Sequence, residues 1–154
     1  MIPIGEPVPD FSLPGVLGDR EGRWRLADLR GKWLVLFFYP ADFTFVCPTE
    51  VVGFHHEVEA FRKLGVEILG VSVDSVESHR AWARELGGIS YPLLADTDKS
   101  VAAAYGTLGP LGFPRRSVFI VDGDGIVRYA HRAIAGLTFR PVSELIHILL
   151  GLQS

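Results

Sequence analysis

Seven consecutive apolar residues, Trp33-Leu-Val-Leu-Phe-Phe-Tyr39, constrain what this chain can fold into more than any other stretch. A strand with one wet face alternates, and a surface helix interrupts such a run within a turn. Continuous hydrophobicity therefore predicts a central strand covered on both faces. Covering both faces takes helices above and below the sheet, which is a layered α/β architecture. Val66-Glu-Ile-Leu-Gly-Val-Ser-Val73 reads as a second buried strand. Between the two, a helix is expected from about Cys47 to Leu64, with Val51, Phe54, Val58 and Phe61 as its apolar stripe and Gly65 as its stop. Strand, helix and strand in that order form a right-handed parallel crossover.

The rest of the chain is punctuated by Gly and Pro without repeats or low-complexity tracts. The first thirty residues, with Gly18-Asp-Arg-Glu-Gly22 between Phe11-Ser-Leu and Arg23-Trp-Arg, predict a short hairpin laid over the main fold. A second helix is expected from Ser75 to the Gly87-Gly88 pair, with Val76, Trp82 and Leu86 as core positions. A short segment at Tyr91–Ala95 and a helix around Ser100–Tyr105 follow. Ser117–Val121 and Ile126–Ala130 flank Asp122-Gly-Asp-Gly125, a strong hairpin signal. A closing helix spans Pro141–Leu152, with Val142, Leu145, Ile146 and Leu149 turned inward. The order βαβ, an insertion, then ββα is that of a thioredoxin-like fold of three α/β/α layers, expected as one domain over residues 1–154.

Composition narrows the functional classes. At 154 residues with 48% apolar content, the chain can build a core without disulfides or metal. Fifteen basic against eighteen acidic side chains, a net charge of −3, argue against nucleic-acid binding through bulk positive charge. The apolar runs are too short to span a bilayer, and the N-terminus lacks the basic start and apolar run of a secretory signal. The expectation is a cytoplasmic protein with no membrane partner. A single cysteine excludes an intramolecular disulfide, a CxxC pair and a cysteine zinc site. His55 and His56 are adjacent and point to different sides of a helix, and His79, His131 and His147 are scattered, so no metal or other cofactor is expected. Asp96-Thr-Asp98-Lys-Ser100 resembles a fragment of a calcium loop without its later glutamate, and a helix cap accounts for it better.

The one cysteine, Cys47, falls where a buried strand gives way to a helix. Unpaired first-turn amides and the positive end of the helix dipole stabilise an anion there. A thiol so placed drops from a pKa of about 8.5 into the range of roughly 3.5 to 7.5. Pro48 suits the first helical turn, where no N–H is needed. By position alone Cys47 is as easily a small buried hydrophobe.

The flanking residues carry more. Pro40-Ala-Asp-Phe-Thr44-Phe-Val-Cys47-Pro-Thr-Glu50 resembles the active-site loop of the peroxiredoxins, whose pattern of Pro, three residues, Thr or Ser, two residues and Cys is met by Pro40, Thr44 and Cys47. The longer string from Phe38-Tyr-Pro through Cys-Pro-Thr-Glu50 is similar to the branch of typical two-cysteine enzymes and the alkyl hydroperoxide reductase peroxidase subunit. The likeness continues through Val-Ser-Val-Asp-Ser75, Ser78-His-Arg-Ala-Trp82, Tyr91-Pro-Leu-Leu-Ala-Asp96 and Arg116-Ser-Val-Phe-Ile-Val-Asp122. By that register the family's active-site arginine is Arg116, not Arg115. Arg140 falls at a second family arginine that pairs with the motif glutamate, here Glu50.

The implied chemistry has a physical account. Peroxide cleavage is attack by a thiolate on one oxygen while negative charge builds on the other, so the site needs an activated sulfur and aimed donors. Arg116 offers a fixed fork of donors and a permanent charge. Thr44 donates one hydrogen bond and accepts another. The amides of Val46 and Cys47 add donors, Pro40 excludes water, and Glu50 orients the arginines. Singly, Thr44 also reads as a helix cap, Arg115 and Arg116 as surface charges, and Glu50 as a first-turn acid.

One departure stands out. The typical two-cysteine enzymes carry a resolving cysteine in a C-terminal arm, and this chain has no second cysteine. The resemblance therefore implies a one-cysteine cycle, with hydroperoxide as substrate and thioredoxin, a glutaredoxin or a low-molecular-weight thiol as reductant. The arm's absence also favours a homodimer over larger rings. The competing readings are a peroxide sensor or relay that passes oxidation to a partner by mixed disulfide, a disulfide oxidoreductase, and a non-catalytic binding domain.

Overall fold

The computed structural model describes residues 1–42, 47–132 and 142–153, and of residues 47–50, 142 and 143 the backbone. The expected central strand is β3 (Trp33–Phe38), and Leu34 through Tyr39 are all buried. It pairs in parallel with β4 (Val66–Ser72), which pairs in parallel with β5 (Leu93–Ala95). On its other side β3 meets β6 (Ser117–Val121) antiparallel, and β6 meets β7 (Val127–Arg132). β1 (Ser12–Leu17) and β2 (Arg20–Arg25) complete a sheet ordered β2-β1-β5-β4-β3-β6-β7 among the described residues.

Successive residues of β3 serve opposite faces. Val35, Phe37 and Tyr39 join Val51 and Phe54 of α1 (Cys47–His56), Phe61 of α2 (Val58–Lys63), Trp82 of α3 (Val76–Glu85), and Leu145 and Leu149 of α5 (Val142–Gln153). Leu34, Leu36 and Phe38 join Val8 and Phe11, Val101 and Ala102 of the short α4 (Ser100–Ala104), and Tyr105 just after it. These are the three layers the continuous apolar run requires.

Three local expectations are corrected. The helix expected over 47–64 is two pieces. At Glu57 the backbone leaves helical geometry (φ −100°, ψ 6°), and its N–H is shared between the carbonyls of Gly53 (3.3 Å) and Phe54 (3.2 Å). Gly53 weakens the preceding turn, and the tighter three-residue step ends α1 there. The N-terminal hairpin is not laid over the fold but bonded into the sheet edge, with Gly15 opposite Leu94 and Val16 opposite Leu93. Gly15 permits this, because a Cβ there would lie 2.6 Å from the Leu93 carbonyl oxygen. In α3 the fully buried positions are His79, Trp82 and Ala83, whereas Val76 and Leu86 are only half-buried. Hydrophobic spacing does not mark His79, because its burial depends on polar partners rather than on transfer from water.

Elsewhere the local chemistry agrees with the sequence. Ser75 caps α3, its Oγ accepting from the N–H of Ser78 at 3.1 Å. Asp96 accepts from the N–H of Val101 (3.2 Å) and Ala102 (2.8 Å), and Asp98 from the N–H and hydroxyl of Ser100 (3.0 and 2.7 Å), so this stretch is a cap for α4.

Candidate active site

Parallel strands bring their carboxyl ends to one side, which is where open α/β sheets place ligands. The chain leaves β3 there through Tyr39 and Pro40, with the Tyr39 N–H donating to the Val71 carbonyl at 3.0 Å. α1 begins at Cys47, so the cysteine is the first residue of a ten-residue helix. Its first-turn N–H groups have no intrahelical partners and favour an anion at that end.

The antiparallel neighbour delivers the arginine. Ser117 stands opposite Phe38, so the chain enters β6 from Arg116 at the end where β3 finishes. Arg115 and Arg116 then differ in environment. Arg115 is exposed and its N–H donates to the Thr107 carbonyl at 2.7 Å, while Arg116 is half-buried. A guanidinium held partly out of water acts over a shorter and less screened path than one in bulk solvent.

Among the other expected residues, Pro40 is half-buried beside this end of the sheet, and Glu50 lies in the first turn of α1. Thr44, Val46 and Arg140 lie outside the described residues. α1 itself is held firmly. Val51 and Phe54 are buried, Phe54 stacks on Phe37 with ring centroids 4.6 Å apart, and the Tyr91 hydroxyl donates to the Val51 carbonyl at 2.6 Å.

Hydrophobic pattern gives no sign of a buried polar cluster that forms around Asp42, five residues before Cys47. The Asp42 carboxylate accepts from the hydroxyls of Tyr39 (2.8 Å) and Ser78 (2.8 Å) and lies 2.8 Å from Nδ1 of His79. Nε2 of His79 lies 2.8 Å from the Leu94 carbonyl. The Asp42 N–H donates to Asp74 at 2.8 Å, and the Ser72 hydroxyl donates to the same Asp74 oxygen at 2.7 Å. Burial, and then the adjacent Asp42 charge, push the Tyr39 phenol well above its usual range, so it remains a donor. The available signal was an aspartate inside the motif string and a histidine at helical spacing from Trp82.

Comparison with known proteins agrees with this geometry. Residues 4–130 match the family model described as the AhpC/TSA family. Peroxiredoxin-2 of Cricetulus griseus is 48% identical over 132 residues, covering 81% of this chain and 67% of that protein. The structure of Mycobacterium tuberculosis AhpC superposes with a TM-score of 0.93 at 31% identity, covering 100% of this chain and 94% of that one. The reduced 2-Cys peroxiredoxin of Plasmodium vivax superposes with a TM-score of 0.91 at 35% identity, covering 97% and 96%. A thioredoxin-fold domain with a cysteine at the start of its first long helix defines a class of thiol-based redox proteins. Within that class the chain belongs to the peroxiredoxin (AhpC/TSA) family, and it is a thiol-dependent peroxidase. Among the described residues, no helix is long and apolar enough to cross a membrane.

Proposed function

We propose that the chain reduces hydrogen peroxide and organic hydroperoxides in antioxidant defence by a one-cysteine cycle at Cys47. The observation that carries this reading is topological: Cys47 begins α1 and Arg116 leads into β6 at the same end of the sheet. The Cys47 thiolate attacks the distal peroxide oxygen, and the O–O bond breaks as the S–O bond forms. The departing alkoxide or hydroxide takes up a proton and leaves as alcohol or water. Arg116 stabilises both the thiolate and the charge developing on the leaving oxygen. Thr44 and the amides of Val46 and Cys47 orient the peroxide, Pro40 keeps water out, and Glu50 with Arg140 holds the guanidinium in place.

Cys47 is left as a sulfenic acid, and the sequence has no second cysteine to condense with it. One external thiol displaces water to give a mixed disulfide, and a second thiol releases Cys47 as a thiol and carries away the external disulfide. The reductant is thioredoxin, a glutaredoxin or a low-molecular-weight thiol, in keeping with a reducing, cytoplasmic setting. A homodimer completes the reading. No metal or other cofactor takes part.

Stopped-flow mixing of the reduced protein with a slight excess of hydrogen peroxide tests it, with Trp fluorescence and the mass of Cys47 as readouts. Oxidation orders of magnitude faster than a free thiol, lost in Cys47→Ser and strongly slowed in Arg116→Ala, is the expected result. Full activity in Cys47→Ser would sink the proposal. A protein that oxidises fast but turns over with no small thiol, thioredoxin or glutaredoxin would instead be a relay that hands its oxidation to a partner.

A further inference from the structure

The cluster around Asp42 contains a buried histidine that peroxide chemistry does not use. His79 is fully buried and Asp42 is 6% exposed. Nδ1 of His79 lies 2.8 Å from a carboxylate oxygen and Nε2 2.8 Å from a carbonyl oxygen. Each ring nitrogen therefore faces an oxygen partner, one on Asp42 and one on β5. Such a bridge is directional, and apolar side chains of similar volume would join α3 to the sheet at least as well. What the polar cluster adds is a single geometry for the backbone at Asp42. That point is fixed from three directions, by Tyr39 at the end of β3, by Ser78 and His79 of α3, and by Asp74 after β4.

The position matters because Asp42 precedes Thr44 by two residues and Cys47 by five. Beyond the cysteine, the Tyr91 hydroxyl fixes α1 at Val51. The chain is thus tied down at Asp42 ahead of Cys47 and at Val51 beyond it. We propose that Asp42 and His79 are positioning residues for peroxide reduction, their hydrogen-bonded pair setting where the chain leaves β3 ahead of Cys47. The proposal rests on the assignment of Cys47 as the reacting thiol.

The test compares two reactions of the same thiol in the full-length protein. Peroxide demands an oriented site, whereas iodoacetamide needs only an accessible thiolate. In Asp42→Asn and His79→Asn, the rate of Cys47 oxidation by hydrogen peroxide falls by about tenfold or more. The pH profile of iodoacetamide alkylation stays within about twofold of wild type, and near-ultraviolet dichroism remains native. Ser78→Ala and Tyr39→Phe each remove one donor to the same carboxylate and give smaller falls, which vanish in the Asp42→Asn background because the acceptor they serve is already altered. Wild-type peroxide rates in folded Asp42→Asn or His79→Asn overturn the proposal. So does an equal change in peroxide and alkylation rates, which would mark general loosening. Should both of those variants fail to fold, wild-type rates in Ser78→Ala and Tyr39→Phe overturn it. A wild-type protein that reacts with peroxide no faster than a free thiol defeats the assignment of Cys47 itself, whereas fast wild type with equally fast Asp42→Asn defeats only the positioning role.

Discussion

On the function proposed above, Arg116 serves the chemistry and Asp96 the support of the fold. Arg116 reaches the cysteine end of the sheet half-buried, where its charge is little screened. Arg116→Ala should slow Cys47 oxidation by about 10²–10³-fold, the usual loss when one donor to a developing oxyanion is removed. Arg116→Lys keeps the charge but not the planar fork and should recover only part of that rate. Arg115→Ala, measured beside them in the same stopped-flow assay, should stay near wild type; equal loss in both would reject the assignment to Arg116. Asp96 serves stability instead. Burial raises its pKa, and the amides of Val101 and Ala102 partly offset that rise. Asp96→Ala leaves both amides unpaired and should cost about 2 kcal/mol, read as a lower urea midpoint at unchanged slope.

Among the elements, β1 depends on one glycine. Its contact with β5 is short, and Gly15 sits at the crossing with no space for a side chain. Gly15→Ala should destabilise the protein by about 1–3 kcal/mol through forced separation of the strands. Hydrogen exchange should locate the change, with faster exchange in β1 and β5 and unchanged protection in β3 and β4. Uniform acceleration through the whole sheet would show that β1 is not an independent edge. α3 offers a milder case, in which Ser75→Ala removes the cap on Ser78 and should cost about 1 kcal/mol.

For the molecule as a whole, alkaline pH is the condition that sets burial against ionisation. Burial raises the phenols of both Tyr39 and Tyr105 above the ordinary value of 10.0, and Tyr105 also donates to the Pro9 carbonyl at 2.7 Å. A raised folded-state pKa means that the native protein keeps protons the unfolded chain gives up. The stability these groups supply is therefore complete below pH 10 and lost as pH rises above it. With both titrating, the loss approaches about 2.7 kcal/mol per pH unit. Phenolate absorbance should show these two tyrosines ionising together with unfolding. Ionisation complete while dichroism remains native would disprove it.

Much of this was legible from local signals. The run from Trp33 to Tyr39 determined a strand buried on both faces, because hydrophobic periodicity is a property of adjacent residues. The string around Cys47 determined the family and the candidate nucleophile, because the residues that shape one turn are contiguous. Boundaries blurred where competing hydrogen bonds decide them, as at Glu57 between α1 and α2. Encounters between distant segments, by contrast, come only from packing in three dimensions. Pairing of β6 with β3 brings Arg116 to the end of the sheet that carries the cysteine, and pairing of β1 with β5 takes the hairpin into the sheet. The meeting of Asp42 with His79 is of the same kind. A buried polar residue is stable only through its partners, and no hydrophobic pattern along the chain records which distant residue completes its hydrogen bonds.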